Sequence, residues 1–247
     1  MGSTVCPPST FRDNVKTNLA RGLEEVGPRP DRGEPLHIAC AGPSLRDTVE
    51  QLRGQKTIWA LNAAHDYLIS QGIVPTHGIA QAPEHQILDT FKSVRPDVVY
   101  AFASCTHPDL VDRALSSGAR VALWNAAAPD EWELDYGDRA QVGFVYGGGT
   151  IGLRVLDMAH MVGFRDLHIH GFDASLSMDL RIGPDKPIYE DRRKDIRLFE
   201  LRGKFFPSLP AHARQVEEIQ SVLRPLDGLR ITWYGDGLMQ WAMKGAA

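Results

Sequence analysis

The sequence predicts an α/β fold: a mostly parallel sheet with helices on both faces. Three observations predict it. From residue 34 onward, short apolar runs alternate with stretches of helical periodicity, the pattern of βαβ units. Two glycine loops each stand between an apolar run and a helical pattern. They are Ala41-Gly42-Pro43-Ser44 and Gly147-Gly148-Gly149-Thr150-Ile151-Gly152. Finally, 247 residues with 43% hydrophobic content suit one large domain with additions.

Taken in order, Thr10-Phe11-Arg12-Asp13 has the spacing of a helix cap. Val15, Leu19, Leu23 and Val26 then recur at helical intervals. The run Gly27-Pro28-Arg29-Pro30-Asp31-Arg32-Gly33 ends that pattern. Residues 1–33 thus read as a short N-terminal helix and linker, and 34–247 as the main domain. Strands are expected at 36–40, 57–61, 77–81, 98–102, 120–124 and 167–170. Helices are expected at 45–53, 63–71, 86–92, 108–116 and 150–162. The alternation breaks after Ala174. Residues 176–195 carry many charges and little periodicity and read as a loop or mobile flap, within a 176–210 insertion. A hairpin across 195–206, a helix at 211–223 and a strand at 230–234 complete a C-terminal hairpin and helix extension.

The formal net charge is -4, which argues against a protein held on nucleic acid by bulk charge but leaves a local basic groove open. Cys6, Cys40 and Cys105 are odd in number and include no CxxC pair, so a reducing compartment is expected. No apolar stretch approaches the roughly 20 residues of a membrane span, and no secretory signal pattern opens the chain. A soluble, cytoplasmic protein with no membrane partner is the expectation.

A strand, glycine turn and helix start form the phosphate cradle of α/β proteins, because free N–H groups at the helix start point at the anion. In the first loop, Gly42 permits positive φ or close ligand approach. Pro43 fixes the turn, and Ser44 either caps the following helix or donates to phosphate. Asn62, after the next apolar run, either reads a base or ribose or caps a helix. In the second loop Gly147, Gly149 and Gly152 formally match GxGxxG, with Asp173 about 20 residues on. The motif lies late in the chain, so glycine clearance or a second anion cradle at Gly148, Gly149 and Thr150 is preferred over a dinucleotide site.

Taken together, Ala41-Gly42-Pro43-Ser44-Leu45, Trp59-Ala60-Leu61-Asn62, Gly147 to Arg154, Gly163-Phe164, His170-Gly171-Phe172-Asp173-Ala174-Ser175 and Gly235-Asp236-Gly237-Leu238 resemble the DUF115 family. That family is also described as 6-hydroxymethylpterin diphosphokinase MptE-like. The first loop and Asn62 more distantly resemble bacterial sialyltransferases that use CMP-sugars. The resemblance covers about residues 34–240. It implies a Rossmann-like domain and a nucleotide-dependent transfer: diphosphate from ATP to a pterin-like alcohol with Mg²⁺, or a sugar from a CMP- or UDP-linked donor. Two departures stand out. Gln81, with Glu84 nearby, occupies the place of a family aspartate, and 182–189 contains no histidine where relatives often carry His-Ala-Tyr.

Diphosphoryl transfer needs charge neutralisation and a positioned acceptor oxygen. Asp173 is the best carboxylate for metal binding or hydroxyl activation, against a role in capping its own turn. Ser175 assists the same site or caps the loop. Arg154 reaches a phosphate or stays on the helix surface. Glu84 and His85 follow the third strand and face the ligand end, with His85 a candidate base. His168 and His170 share one strand face, but without a third ligand they read as packing. Arg181, Lys186, Arg192, Arg193, Lys194 and Arg197 make a locally basic segment: a lid over phosphates, a contact for an anionic acceptor such as DNA, or a solvated loop. Trp124, Trp233 and Trp241 read as core rather than as base-stacking groups.

The leading expectation is a transferase with a nucleotide and a small-molecule, glycan, protein or modified-DNA acceptor. A non-catalytic nucleotide-binding protein is the third reading, and a nucleic-acid partner is not favoured.

Overall fold

A computed structural model describes residues 7–127, 136 and 142–244. The main sheet contains β1 (Glu24–Glu25), β2 (Leu36–Ala39), β3 (Ile58–Leu61), β4 (His77–Ala80), β5 (Val99–Ala103), β6 (Val121–Trp124), β7 (Asp166–His170) and β10 (Arg230–Tyr234). A separate antiparallel hairpin is built from β8 (Arg197–Leu201) and β9 (Lys204–Ser208). The eight main strands run in the order β1-β6-β5-β4-β3-β2-β7-β10, every pair parallel. The chain therefore walks from β2 out to β6 and returns to the other side of β2. The junction of β2 and β7 is the point where strand order reverses, and ligands of open parallel sheets bind beyond the strand ends at such a point. Helices on both faces explain why β3 and β6 are continuous apolar runs and why β2, interrupted only by His37, is buried like them along its whole length.

The helices are α1 (Pro8–Leu19), α2 (Leu45–Thr48), α3 (Ala64–Ser70), α4 (Pro108–Ser116), α5 (Ile151–Met161), α6 (Pro210–Leu223) and α7 (Leu238–Met243). Several boundaries differ from the sequence expectation. The first helix starts at Pro8, whose φ is preset for a helix start, and Thr10 is not its cap. That helix ends at Leu19, and Glu24–Glu25 pairs with β6. The N-terminal segment is thus part of the sheet rather than a linker. Asn14 and Asn18 anchor it by donating Nδ2 hydrogens to the carbonyls of Pro83, Ser104, Cys105 and Thr106 at 2.7–3.0 Å. The expected 45–53 helix breaks into α2 and a 3₁₀ turn at Val49–Leu52, and 86–92 is a 3₁₀ turn at His85–Thr90.

Along 176–196 the chain has little regular structure, with one bridge between Arg181 and Pro187 and a 3₁₀ turn at Glu190–Asp195. Leu176, Ile188 and Leu209 pin it with a small apolar cluster. Its basic residues pair locally: Arg181 with Asp179 at 2.8 Å, Arg192 with Asp195 at 2.8 Å and Arg193 with Glu190 at 3.0 Å. No helix among the described residues is long and apolar enough to cross a membrane. Cys40 and Cys105 are buried.

His168 and His170 do share a face, and His37 of β2 joins them. The His37 ring stacks 4.6 Å from His168, its Nδ1 lies 3.4 Å from His170 Nε2, and Tyr234 stacks 4.3 Å from His170. No three His, Cys, Asp or Glu side chains among the described residues are placed to hold a metal, so the stripe is packing. Burial, reinforced by the neighbouring imidazoles, pushes His37 down to about 4 and His170 to about 3. Both are neutral in the fold and titrate normally when unfolded. As pH falls below about 6.5 the unfolded chain binds protons that the fold refuses, so stability drops until about pH 4. Fully enclosed His170 contributes about 2 kcal/mol of the loss at pH 4.5. Asp173, raised by burial, protonates in the fold first and opposes this trend at lower pH. Urea midpoints at pH 7 and 4.5 should differ clearly, and His170→Phe should narrow the gap.

Candidate functional site

The loops after β2, β7 and β10 meet on one carboxylate. Asp173 is only 4% exposed. Its Oδ2 accepts from the Ser44 N–H at 2.7 Å, and its Oδ1 accepts from Ser44 Oγ and from Gln240 Nε2 at 2.9 Å. Its own carbonyl accepts from Met239 N at 2.9 Å, and Ser175 Oγ accepts from Leu238 N at 3.1 Å. Burial raises the Asp173 pKa against the hydrogen bonds from Ser44 and Gln240, which lower it, while Asp236 adds repulsion. The carboxylate is spent on joining three loops.

This geometry revises several expectations. Gly42 does not adopt positive φ. Its N–H donates to the Gly171 carbonyl at 2.8 Å, and a Cβ there would lie 2.4 Å from that oxygen and 2.6 Å from Asp173 Oδ2. The close approach it permits is loop to loop, not loop to ligand. Ser44 gives both N–H and Oγ to Asp173, leaving neither for a phosphate. Pro43 lies outside the cleft described next and lines the cavity beside it. Asp173 does not fit a resident metal site, because both its oxygens are engaged and no three donor side chains among the described residues are placed to hold an ion.

A cleft of about 270 Å³ opens beside this junction. Gly42, Asn62, Thr150, Ser175, His212 and Gln215 line it. Asn62 sits at φ 45°, a left-handed position that asparagine tolerates. Its Oδ1 accepts from Gln81 N at 3.2 Å, and its Nδ2 has no hydrogen-bond partner among the described residues. Thr150 caps α5: its Oγ1 accepts from Leu153 N and donates to Gln215 Oε1 at 3.1 Å. The first-turn residues Ile151 and Gly152 also line the cleft, where N–H groups have no carbonyl of their own helix to bond.

The second glycine loop contributes only from Thr150 onward. Gly148 faces a carboxylate, with Glu218 Oε2 2.9 Å from where its Cβ would be, which is unsuited to an anion cradle. Gly149 has no neighbour within 4 Å of its Cβ position and lies outside the cleft. Gly152 gives clearance to Phe172, 3.0 Å from its Cβ position. Arg154 turns away and donates Nη1 to the Val145 carbonyl at 3.0 Å. Glu84 and His85 stand beyond β4, two strands from β2, and line neither the cleft nor the cavity beside it. The His85 side chain is exposed, 3.6 Å from Asp109. The three tryptophans stay out of the cleft: Trp124 and Trp241 donate to the carbonyls of Ala101 and Leu201, and Trp233 packs by Phe172.

The model of the 6-hydroxymethylpterin diphosphokinase MptE-like family matches residues 9–179. The chain belongs to this family. No curated protein sequence matches it. Among solved structures, it is similar to the MAf glycosyltransferase of Magnetospirillum magneticum AMB-1, with TM-score 0.62 and 14% identity over 91% of this chain. The chain spans 37% of that protein's length. A mammalian sialyltransferase solved with Gal-beta-1-3GalNAc-ortho-nitrophenol aligns over 91% of this chain and 80% of its own, with TM-score 0.47 and 11% identity. The MAf glycosyltransferase structure shows a shared fold, and the family's own description names a diphosphokinase, one kind of transferase.

In this MptE-like chain a second cavity of about 260 Å³ adjoins the cleft and shares Asp173 and Ser175 with it. Beside Asp173, the charged residues Arg46, Asp47, Asp179, Lys204 and Asp236 line it, and Met178 and Phe205 expose apolar surface there. Sequence reasoning missed His212, Gln215 and Gln240. They sit in no motif and arrive from α6 and α7. One signal was readable: Gln215 shares the apolar face of α6 with Ile219, and a buried glutamine on such a face needs a partner. The His212 ring is half-buried and makes no hydrogen bond among the described residues. Burial, then Arg192, lowers its pKa.

Proposed function

We propose that this chain is a nucleotide-dependent transferase, with the donor nucleotide in the 270 Å³ cleft and the acceptor in the 260 Å³ cavity beside it. The observation that carries this reading is the shared wall. Asp173 and Ser175 border both spaces at the point where strand order reverses. Asn62 offers a free amide to a base or ribose, and the start of α5 offers N–H groups to phosphate.

Of the two expected donors, the geometry favours a nucleotide sugar over ATP. The described lining of the cleft contains no lysine or arginine, so phosphate charge there meets backbone N–H groups and His212, with Arg192 near enough to act on that ring. A CMP- or UDP-linked sugar carries less of that charge than a triphosphate. The family description supports the second reading, diphosphate transfer from ATP to a pterin-like alcohol. On that reading Mg²⁺ arrives with the triphosphate, because the described residues assemble no resident site. In either case His212 meets the donor phosphate. A phosphate within reach draws its lowered pKa back up, so that it protonates and supports the leaving group.

The test pairs binding with turnover. CMP- and UDP-sugars should raise the melting temperature in a saturable way, and nucleotide should be released with an acceptor present. His212→Gln should lower kcat about 100-fold with a smaller change in donor KM. A Mg²⁺-dependent ATP response with AMP release favours the diphosphokinase. Binding without turnover leaves a nucleotide-binding protein, and silence toward every nucleotide overturns the proposal.

A further inference from the structure

A further cavity lies away from the cleft. It holds about 450 Å³ and opens at the amino ends of the strands, the opposite edge of the sheet. Its floor is Trp59, Ile79, Ala101 and Ala122 from one face of β3 to β6, and Met158, Val162 and Phe164 roof it.

Two polar groups in this apolar space lack partners among the described residues. Trp59 is 4% exposed, and its indole Nε1 is buried with no hydrogen-bond partner among them. An indole N–H can only donate, so what satisfies it must be an acceptor. His77 gives its Nδ1 to Thr76 Oγ1 at 3.0 Å, and its other ring nitrogen has no partner among the described residues. The ring lies 5.9 Å from Trp59, which meets Phe164 edge-on at 5.7 Å. Three aromatic rings therefore border one slot.

The rim is cationic. Arg29, Arg32, Lys56 and Arg120 stand on it against two carboxylates, Glu24 and Glu34. Glu24 takes Arg120 at 2.7 Å and Arg29 at 3.4 Å, while Glu34 takes Arg32 at 3.6 Å. Lys56 has no acidic partner among the described residues. Burial, reinforced by Arg32 and Arg120, lowers His77 to about 4.

We propose that this cavity is a second binding site, separate from the nucleotide cleft, for a small aromatic carboxylate. Its ring packs among Trp59, His77 and Phe164, and its carboxylate meets the Arg32 and Lys56 rim. The volume suits a ligand of this size, and an apolar pocket with a few placed polar groups is the usual form of a small-molecule site. The site does not depend on the transferase reading.

The test titrates the full chain with 2-naphthoate by calorimetry, beside 2-naphthylmethanol, which has the same body without the charge. Saturable one-to-one binding of the naphthoate is expected, with the alcohol at least about fivefold weaker. Lys56→Glu, on the exposed rim, should weaken naphthoate at least about fivefold without lowering the melting temperature. Trp59→Leu should weaken it by a similar factor by removing a ring that the naphthalene packs against. Saturating CMP should leave the affinity unchanged. No saturable binding up to about 10 mM, equal binding of the alcohol, insensitivity to both variants, or competition by CMP would each overturn the proposal.

Discussion

Asp173→Ala is expected to destabilise the fold by about 3 kcal/mol, read as a lower urea midpoint at pH 7. The size follows from what the carboxylate holds. It is 4% exposed and accepts from Ser44 N, Ser44 Oγ and Gln240 Nε2. Alanine leaves three donors without their acceptor, and stranded buried donors each carry a desolvation cost. The loss is not the full sum, because the raised pKa of Asp173 shows that its charge is itself expensive to bury. Asp173→Asn separates a structural role from a chemical one. The amide matches the carboxylate in shape but turns an NH₂ toward Ser44 N–H or Gln240 Nε2. As a lock it should melt early while any surviving fold keeps partial activity. A normal melting temperature with activity abolished would instead assign Asp173 to the chemistry.

Gly42→Ala is expected to cost about 2–4 kcal/mol and to abolish nucleotide binding. Backbone strain is not the reason, since Gly42 does not adopt positive φ. The added Cβ would stand 2.4 Å from the Gly171 carbonyl oxygen and 2.6 Å from Asp173 Oδ2. Neither can yield cheaply: the carbonyl is backbone and accepts from Gly42 N, and the carboxylate is fixed from three sides. The β2 and β7 loops must part, and the cleft wall goes with them. Gly149→Ala is the control. It lies in the other glycine loop, meets nothing within 4 Å, and should stay within about 0.5 kcal/mol of the parent. Equal effects at both positions would contradict the packing account.

The sheet was legible because its signal is local. Strands buried on both faces write continuous apolar runs, and the expected strands all appear near their places. The ends of α1 and α2 were not. Helical spacing at Leu23 and Val26 continued past Leu19, but edge pairing of Glu24–Glu25 with β6 overrode it. At the site, Asn62, Thr150, Asp173 and Ser175 were readable because each follows a strand or opens a helix on the ligand side. What each touches was not readable. The Ser44–Asp173 bond spans 129 positions, and local spacing says nothing about such a pair. Ser44 looked free for phosphate for that reason. Arg154 and His85 failed on direction: one turns into Val145, the other lies two strands away.

The place of β2 also governs how the chain can assemble. It pairs with β3 on one side, about 20 positions on, and with β7 on the other, roughly 130 positions later. During synthesis β2 to β6 can associate early, while the second edge of β2 has no native partner until β7 emerges. The strand is buried in the finished molecule, with that edge's backbone groups paired to β7. For this interval it is an open template for other strands. Closing it requires the long loop that makes parallel pairing slow. Refolding yield should therefore be set by protein concentration, with aggregation competing against the late docking of β7 and the carboxylate that follows it.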